Sequence, residues 1–152
     1  MKKYYSVIAS FVFVGTLVAP GVASFTIPGI VYRIDQLSEA KEVARDKGIP
    51  IVFIYTDEST DCGLATAASI DLFQGLEDYT VMVYVSSKDD HDWERTPNLV
   101  RRAINSPQAG KFIPKAVVVD ASVKRLYGIV PYVRDVNERK NNISRVRSII
   151  PD

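Results

Sequence analysis

The sequence predicts an α/β fold built on a mixed central sheet with helices on both faces. Three observations lead there. Strand-like and helix-like patterns alternate along the chain, which implies parallel strand pairs joined by helical crossovers. Two strand segments are continuous apolar runs rather than alternating ones, as in strands buried on both faces. A hairpin pattern near the end of the chain adds an antiparallel edge. The resulting order is helix, strand, helix, strand, helix, strand, strand, helix.

Residues Phe25 to Arg33 read as a leader into the domain, with Val31-Tyr32-Arg33-Ile34 as a short edge strand. Asp35 is placed to cap a helix that carries Leu37, Ala40, Val43 and Ala44 on one side and stops at Lys47-Gly48, because a late lysine and a following glycine end helices. The run Ile49-Pro50-Ile51-Val52-Phe53-Ile54-Tyr55 is β-branched and aromatic and reads as the buried central strand. Beyond Cys62, Leu64, Ala68, Leu72 and Leu76 recur at fourfold spacing, with Ile70 and Phe73 broadening the stripe, the pattern of a helix with one apolar face. Thr80 to Val85 is the second continuous apolar strand, and Ser86 to Arg95 a polar stretch. Thr96 is expected to cap a helix with Pro97 at its first position, where the missing N–H costs nothing, and with Leu99, Val100, Ala103 and Ile104 inward. Ser106 to Gly110 reads as a loop. Ala116 to Val119 follows Pro114 as a third strand, and Arg125 to Ile129 pairs with it across Asp120-Ala121-Ser122. Asp135 with Glu138 forms a capping-box-like start to a last helix carrying Val136, Ile143, Val146 and Ile150.

The chain opens Met1-Lys2-Lys3, continues with an apolar stretch from Tyr4 to Ala19, and reaches Pro20-Gly21-Val22-Ala23-Ser24. Cationic start, apolar core and small residues in that order are a secretory signal peptide. Residues 1–24 are therefore expected to be removed, with cleavage between Ala23 and Phe25, and 25–152 to form one domain. The expected address is periplasmic or secreted; an uncleaved N-terminal membrane anchor is the alternative, disfavoured because the apolar core is shorter than the roughly 20 residues of a spanning helix. With no cysteine near the cleavage region, a lipoprotein anchor is not expected. A mature chain of about 128 residues is long enough to bury a substantial core. The formal net charge is +1, so nothing in the composition calls for nucleic acid as a partner. Nor is stable membrane insertion expected after signal cleavage.

Cys62 is the only cysteine, so an exported form of the chain has no internal disulfide and its fold stands on packing. It lies in Asp61-Cys62-Gly63-Leu64-Ala65, where strand gives way to helix. Unpaired N–H groups at a helix start favour a thiolate, whereas Asp57, Glu58 and Asp61, all within five residues, oppose one. Two readings follow: a reactive thiol, or a small buried hydrophobe, since free cysteine is among the most buried residue types.

The element order resembles the thioredoxin fold over essentially the whole span from Val31 to Ile150. Two segments carry the resemblance. Cys62-Gly63-Leu64-Ala65 stands where that family has its Cys-x-x-Cys motif, and Phe112-Ile113-Pro114-Lys115-Ala116-Val117-Val118-Val119-Asp120 is similar to the segment that holds a cis-proline before a strand. The opening, from Glu39-Ala40 to Ala44 and then Gly48-Ile49-Pro50, is similar to that of exported bacterial thioredoxin-like proteins. The resemblance implies a cis bond before Pro114, where a trans proline is the unaided expectation. It also implies substrate binding by Ile113, Pro114, Gly63 and Leu64, with the Ile113 backbone offered to a peptide as an added strand. Five departures stand out. Ala65 replaces the resolving cysteine, Asp61 the usual tryptophan, Leu64 the proline-type position, and Ile54 the buried acid, and Thr56 to Thr60 is about two residues longer than the family loop.

Other constellations carry less. The Cys-Gly-x-small pattern is similar to that of monothiol glutaredoxins, whose cysteine can hold an iron-sulfur cluster shared with glutathione, but those act in reducing compartments and one cysteine is a weak cluster signal. No cofactor is therefore expected. Asp57-Glu58-Ser59-Thr60-Asp61 lacks the turn glycine and terminal acid of a calcium loop, and Asp89-Asp90-His91-Asp92 lacks metal-site spacing; both read as solvated loops, with Trp93 covering a loop edge. Arg134, Arg139, Lys140, Arg145 and Arg147 read as the solvated face of the last helix. Asn142-Ile143-Ser144 is a glycosylation sequon inside that helix and is discounted.

Two functions are expected in competition. One is monothiol thiol-disulfide exchange through Cys62, disulfide reductase or isomerase-like, on a protein or small-thiol disulfide. The other is a non-catalytic thioredoxin-fold module for protein binding or scaffolding, motivated by Asp61, Ala65 and Ile54 departing together. The oligomeric state is left open.

Overall fold

The computed structural model describes residues 25–151. The expected signal peptide lies outside the described residues. Among the described residues no helix is long and apolar enough to cross a membrane.

The leader is packed rather than loose. Phe25, Ile27 and Val31 are buried, and the Phe25 ring meets Phe73 at 6.0 Å between centroids. Strand β1 (Tyr32–Arg33) follows, then a 3-10 turn at Ile34–Gln36 and helix α1 (Leu37–Lys47). Asp35 therefore sits inside the turn and caps nothing. The helix enters from Gln36, whose side-chain oxygen accepts the Arg33 N–H at 2.9 Å. Gly48 ends α1 with φ 68°, a left-handed conformation that glycine adopts without steric cost.

Strand β2 (Ile51–Thr56), helix α2 (Gly63–Leu76) and strand β3 (Val81–Ser86) come next. The polar stretch after β3 is not all loop: Asp90–Arg95 forms a short helix, α3. Asp89 caps it by accepting the His91 N–H at 2.9 Å, and Asp90 and Asp92 in the first turn complement the helix dipole. Thr96 closes this helix instead of opening the next one, its hydroxyl donating to the Asp92 carbonyl at 2.7 Å. Helix α4 (Asn98–Ile104) starts from Pro97. A 3-10 turn at Pro107–Ala109, strands β4 (Lys115–Val119) and β5 (Leu126–Val130), and helix α5 (Val136–Arg147) complete the order. Asp135 caps α5 as expected, accepting the Glu138 N–H at 2.8 Å.

The five strands form one sheet in the order β1-β3-β2-β4-β5. β3 is parallel to both β1 and β2, and β4 is antiparallel to β2 and to β5. The turn between β4 and β5 is held by Asp120, whose carboxylate accepts the Ser122, Lys124 and Arg125 N–H groups. Alternate strand residues divide the core, as the two-residue period requires. Val52, Ile54, Met82, Tyr84, Ala116 and Val118 face α2 and α5, while Ile51, Phe53, Val83, Val85, Val117 and Val119 face α1 and α4. Residues 51–54 are all 0% exposed, which explains why β2 shows no polar alternation. This mixed sheet, covered on both faces, is a thioredoxin-like α/β fold.

Three side chains depart from their expected faces. Leu64, Ile70 and Val136 are exposed, because α2 and α5 each bury a narrower stripe than the spacing implied. Arg139 is the larger correction. It is 4% exposed, donates to Asp71 Oδ2 of α2 from Nε at 2.8 Å and from a terminal nitrogen at 2.6 Å, and reaches the Val133 and Arg134 carbonyls. It belongs to the α2–α5 seam and not to a solvated face. In the same seam Gly75 lets α5 approach closely, since a Cβ there would lie 2.8 Å from Ile143 Cγ2.

Candidate functional site

Strand register sets the site. Tyr55 of β2 pairs with Lys115 of β4, and Thr56 with Ser86 of β3. The loop to Cys62 therefore leaves the sheet at the end where Ile113-Pro114 enters β4 and where the chain leaves β3. The topology brings the two segments of the resemblance to one end of the sheet.

Cys62 is exposed and unpaired, which sets aside the reading as a small buried hydrophobe. Its backbone is extended and it stands at the N-cap of α2, with no side-chain cap hydrogen bond. Its carbonyl accepts the Thr66 N–H at 3.0 Å and its own N–H donates to Thr60 Oγ1 at 3.3 Å. The thiol therefore stands exposed at a helix start, free of any disulfide and making no cap hydrogen bond. Gly63 and Leu64 are exposed beside it, and Ala65, at the resolving-cysteine position, is turned into the core at 8% exposure. Ile54, at the position of the family acid, is fully buried among apolar side chains.

The Ile113–Pro114 peptide bond is cis. Pro114 is buried and Ile113 half-buried, so the surface of this segment presents Ile113 more than the proline ring. Phe112 is 70% exposed, with its ring edge-on to Tyr132 at 6.3 Å. Lys115, which the sequence did not single out, braces this segment. Its Nζ donates to the Ile104 carbonyl at 3.0 Å and the Gly110 carbonyl at 2.7 Å, tying the end of α4 to the chain that leads into Pro114. Burial pushes its ammonium below the ordinary 10.5.

The loop before Cys62 is anchored rather than free. Thr56 Oγ1 and Ser69 Oγ share a buried hydrogen bond of 2.8 Å that ties the end of β2 to α2. The Asp57 carboxylate accepts Ser59 N–H at 2.9 Å and Ser59 Oγ–H at 2.7 Å, and pairs with Lys88 Nζ at 2.8 Å. Burial raises the Asp57 carboxyl, but the Lys88 and Ser59 hydrogen bonds outweigh it and hold the group below the ordinary 3.8. A carboxylate depressed in the folded state stabilises it above the unfolded-state pKa, and that contribution is lost as pH falls through the folded value. Asp57→Asn is accordingly expected to flatten the acid limb of thermal stability below about pH 4; thermal melts of both proteins from pH 2.5 to 6 check this, and parallel curves would remove the assignment.

His91 lies on α3, and among the described residues no group of three His, Cys, Asp or Glu side chains is placed to hold a metal ion. Trp93 covers Tyr55 of β2, ring to ring at 5.6 Å.

No family model matches the chain, and no curated protein matches it. Among solved structures it is similar to one described as a DsbH oxidoreductase, at 14% identity and a TM-score of 0.45, covering 86% of this chain and 93% of that one. A likeness this distant bears on neither substrate nor activity.

Proposed function

We propose that this protein is an exported thioredoxin-fold protein whose dithiol chemistry is reduced to monothiol exchange through Cys62. The observation that carries the reading is an exposed thiol, free of any disulfide, at a helix start, on the sheet end that also presents Ile113 and the cis Pro114. The Cys62 thiolate attacks one sulfur of a protein or small-molecule disulfide, forming a mixed disulfide and releasing the other sulfur as thiolate. An external thiolate then attacks the substrate sulfur of the mixed disulfide, returning Cys62 and forming a new disulfide between substrate and external thiol. Cys62 ends as it began, so the net reaction is disulfide interchange, and a second external thiol completes a reduction. Ile113 offers its backbone to a bound peptide beside Pro114, with Gly63 and Leu64 flanking the thiol. No cofactor enters these steps. Export rests on the sequence of residues 1–24.

A second reading has its own observations. Ala65 and Ile54 are packed into the core, and Leu64 and Phe112 are large exposed apolar groups, as suits a module that binds a protein without chemistry. The deciding experiment is the alkylation rate of Cys62 in the folded, signal-free protein against the unfolded chain. Rapid reaction in the folded state at neutral pH supports exchange. A thiol that reacts only after denaturation leaves the binding module.

A further inference from the structure

We propose that Lys115 is a positioning residue for polypeptide substrates, its ammonium holding the chain before Pro114 in the shape that offers the Ile113 backbone. The inference rests on the reading of Cys62 as the reacting group and of Ile113 as a peptide contact. Other cations around the site meet carboxylates: Arg33 reaches Glu58 at 3.3 Å and Lys88 reaches Asp57 at 2.8 Å. Lys115 does not. It is 6% exposed, and among the described residues its ammonium pairs with no acid. It gives its protons to two backbone carbonyls instead, those of Ile104 at 3.0 Å and Gly110 at 2.7 Å. Taking a charge out of water is costly, so an apolar side chain would fill this space more cheaply. What it could not supply is the two donors.

Sheet register explains what the two bonds do. Lys115 opens β4 opposite Tyr55 and, by the two-residue period, points to the side of Val117 and Val119, toward α4. Ile104 is the last residue of α4, where carbonyls lack a helical partner. Gly110 has φ 67° and ψ −173°, a conformation almost confined to glycine, and its N–H donates to the Pro107 carbonyl at 3.2 Å. Both of its backbone polar groups are therefore held, one by Pro107 and the other by Lys115. From Gly110 the chain runs through exposed Lys111 and Phe112 to half-buried Ile113, and then enters the sheet. The side chain of Lys115 closes this excursion into a loop fixed at both ends. A loop fixed before binding loses less entropy when an extended peptide pairs with it. A small disulfide that reaches only the thiol gains nothing from it.

The test compares two symmetrical disulfides as substrates of the folded protein: the disulfide-linked dimer of an unstructured cysteine-containing peptide, and hydroxyethyl disulfide. In each, Cys62 takes one sulfur into a mixed disulfide and the other leaves as thiolate, and intact mass follows the rate. Lys115→Met is expected to lower the peptide rate about tenfold and to leave the hydroxyethyl disulfide rate within about twofold. Gly110→Ala should give the same split. A Cβ there meets no atom within 4 Å, so this change displaces the Gly110 carbonyl through backbone strain and leaves the packing alone. If Lys115→Met does not fold, as judged by its thermal melt, Gly110→Ala decides. Equal losses for both disulfides overturn the inference, since a damaged fold or thiol affects the two alike. So does an unchanged peptide rate in either folded variant. A wild type that exchanges with hydroxyethyl disulfide but not with the peptide also overturns it, while leaving the Cys62 chemistry standing. One that exchanges with neither removes the exchange reading itself, and with it this inference.

Discussion

Cys62→Ser is expected to reduce disulfide interchange to the rate of buffer alone while leaving the fold intact. The wild type should gain one mixed disulfide per chain from glutathione disulfide, seen by intact mass, and lose it on addition of a small thiol; the variant should gain none and show no catalysed turnover. Stability should change by less than about 0.5 kcal/mol, because the side chain is exposed and caps nothing. The comparison has a second arm in the host. If Cys62→Ser retains every function of the wild type, the thiol is incidental and the binding module is the better account. If a redox phenotype is lost with this single change, the module account fails.

Arg139→Met is expected to be the most destabilising single change outside the apolar core. The guanidinium is almost fully buried, Asp71 is 24% exposed at its side chain, and the pair is 2.6 Å apart. Removing the cation leaves a partly buried carboxylate and the Val133 and Arg134 carbonyls without their donor. Breaking such a pair from one side costs about 3 kcal/mol, a drop of roughly 10 °C in Tm for a domain of this size. Replacing both partners, Asp71→Leu with Arg139→Met, should recover much of the loss, because no charge is then left unpaired. Equal melting temperatures for wild type and Arg139→Met would show that the pair is dispensable.

Much of this architecture could be read from local pattern. The apolar runs at Ile51 and Val81, the Gly48 stop and the Asp135 cap all act within a few residues, and the structure has each of them. The two departures have different causes. α3 buries little besides part of Trp93, so apolar periodicity reports nothing there, although Asp89 and the acids after it form a legible helix start. Arg139 falls four residues before Ile143 and seven before Val146, on the buried stripe of α5. Its spacing pointed inward and its charge pointed outward; Asp71, sixty-eight residues away, decided the matter.

The site divides along the same line. Sequence alone determined the order of the elements other than α3, the single cysteine at a strand-to-helix junction, and the proline before β4, because hydrophobic period, capping and turn chemistry are set by near neighbours. Tertiary structure decided that Cys62 is exposed while Ala65 is buried, and that Arg33, Lys88 and Lys115 brace its surroundings. Those outcomes depend on strand register and on which loops leave the sheet together. Ion pairs across 25 or 31 positions of chain form only after the sheet has brought β1, β2 and β3 side by side.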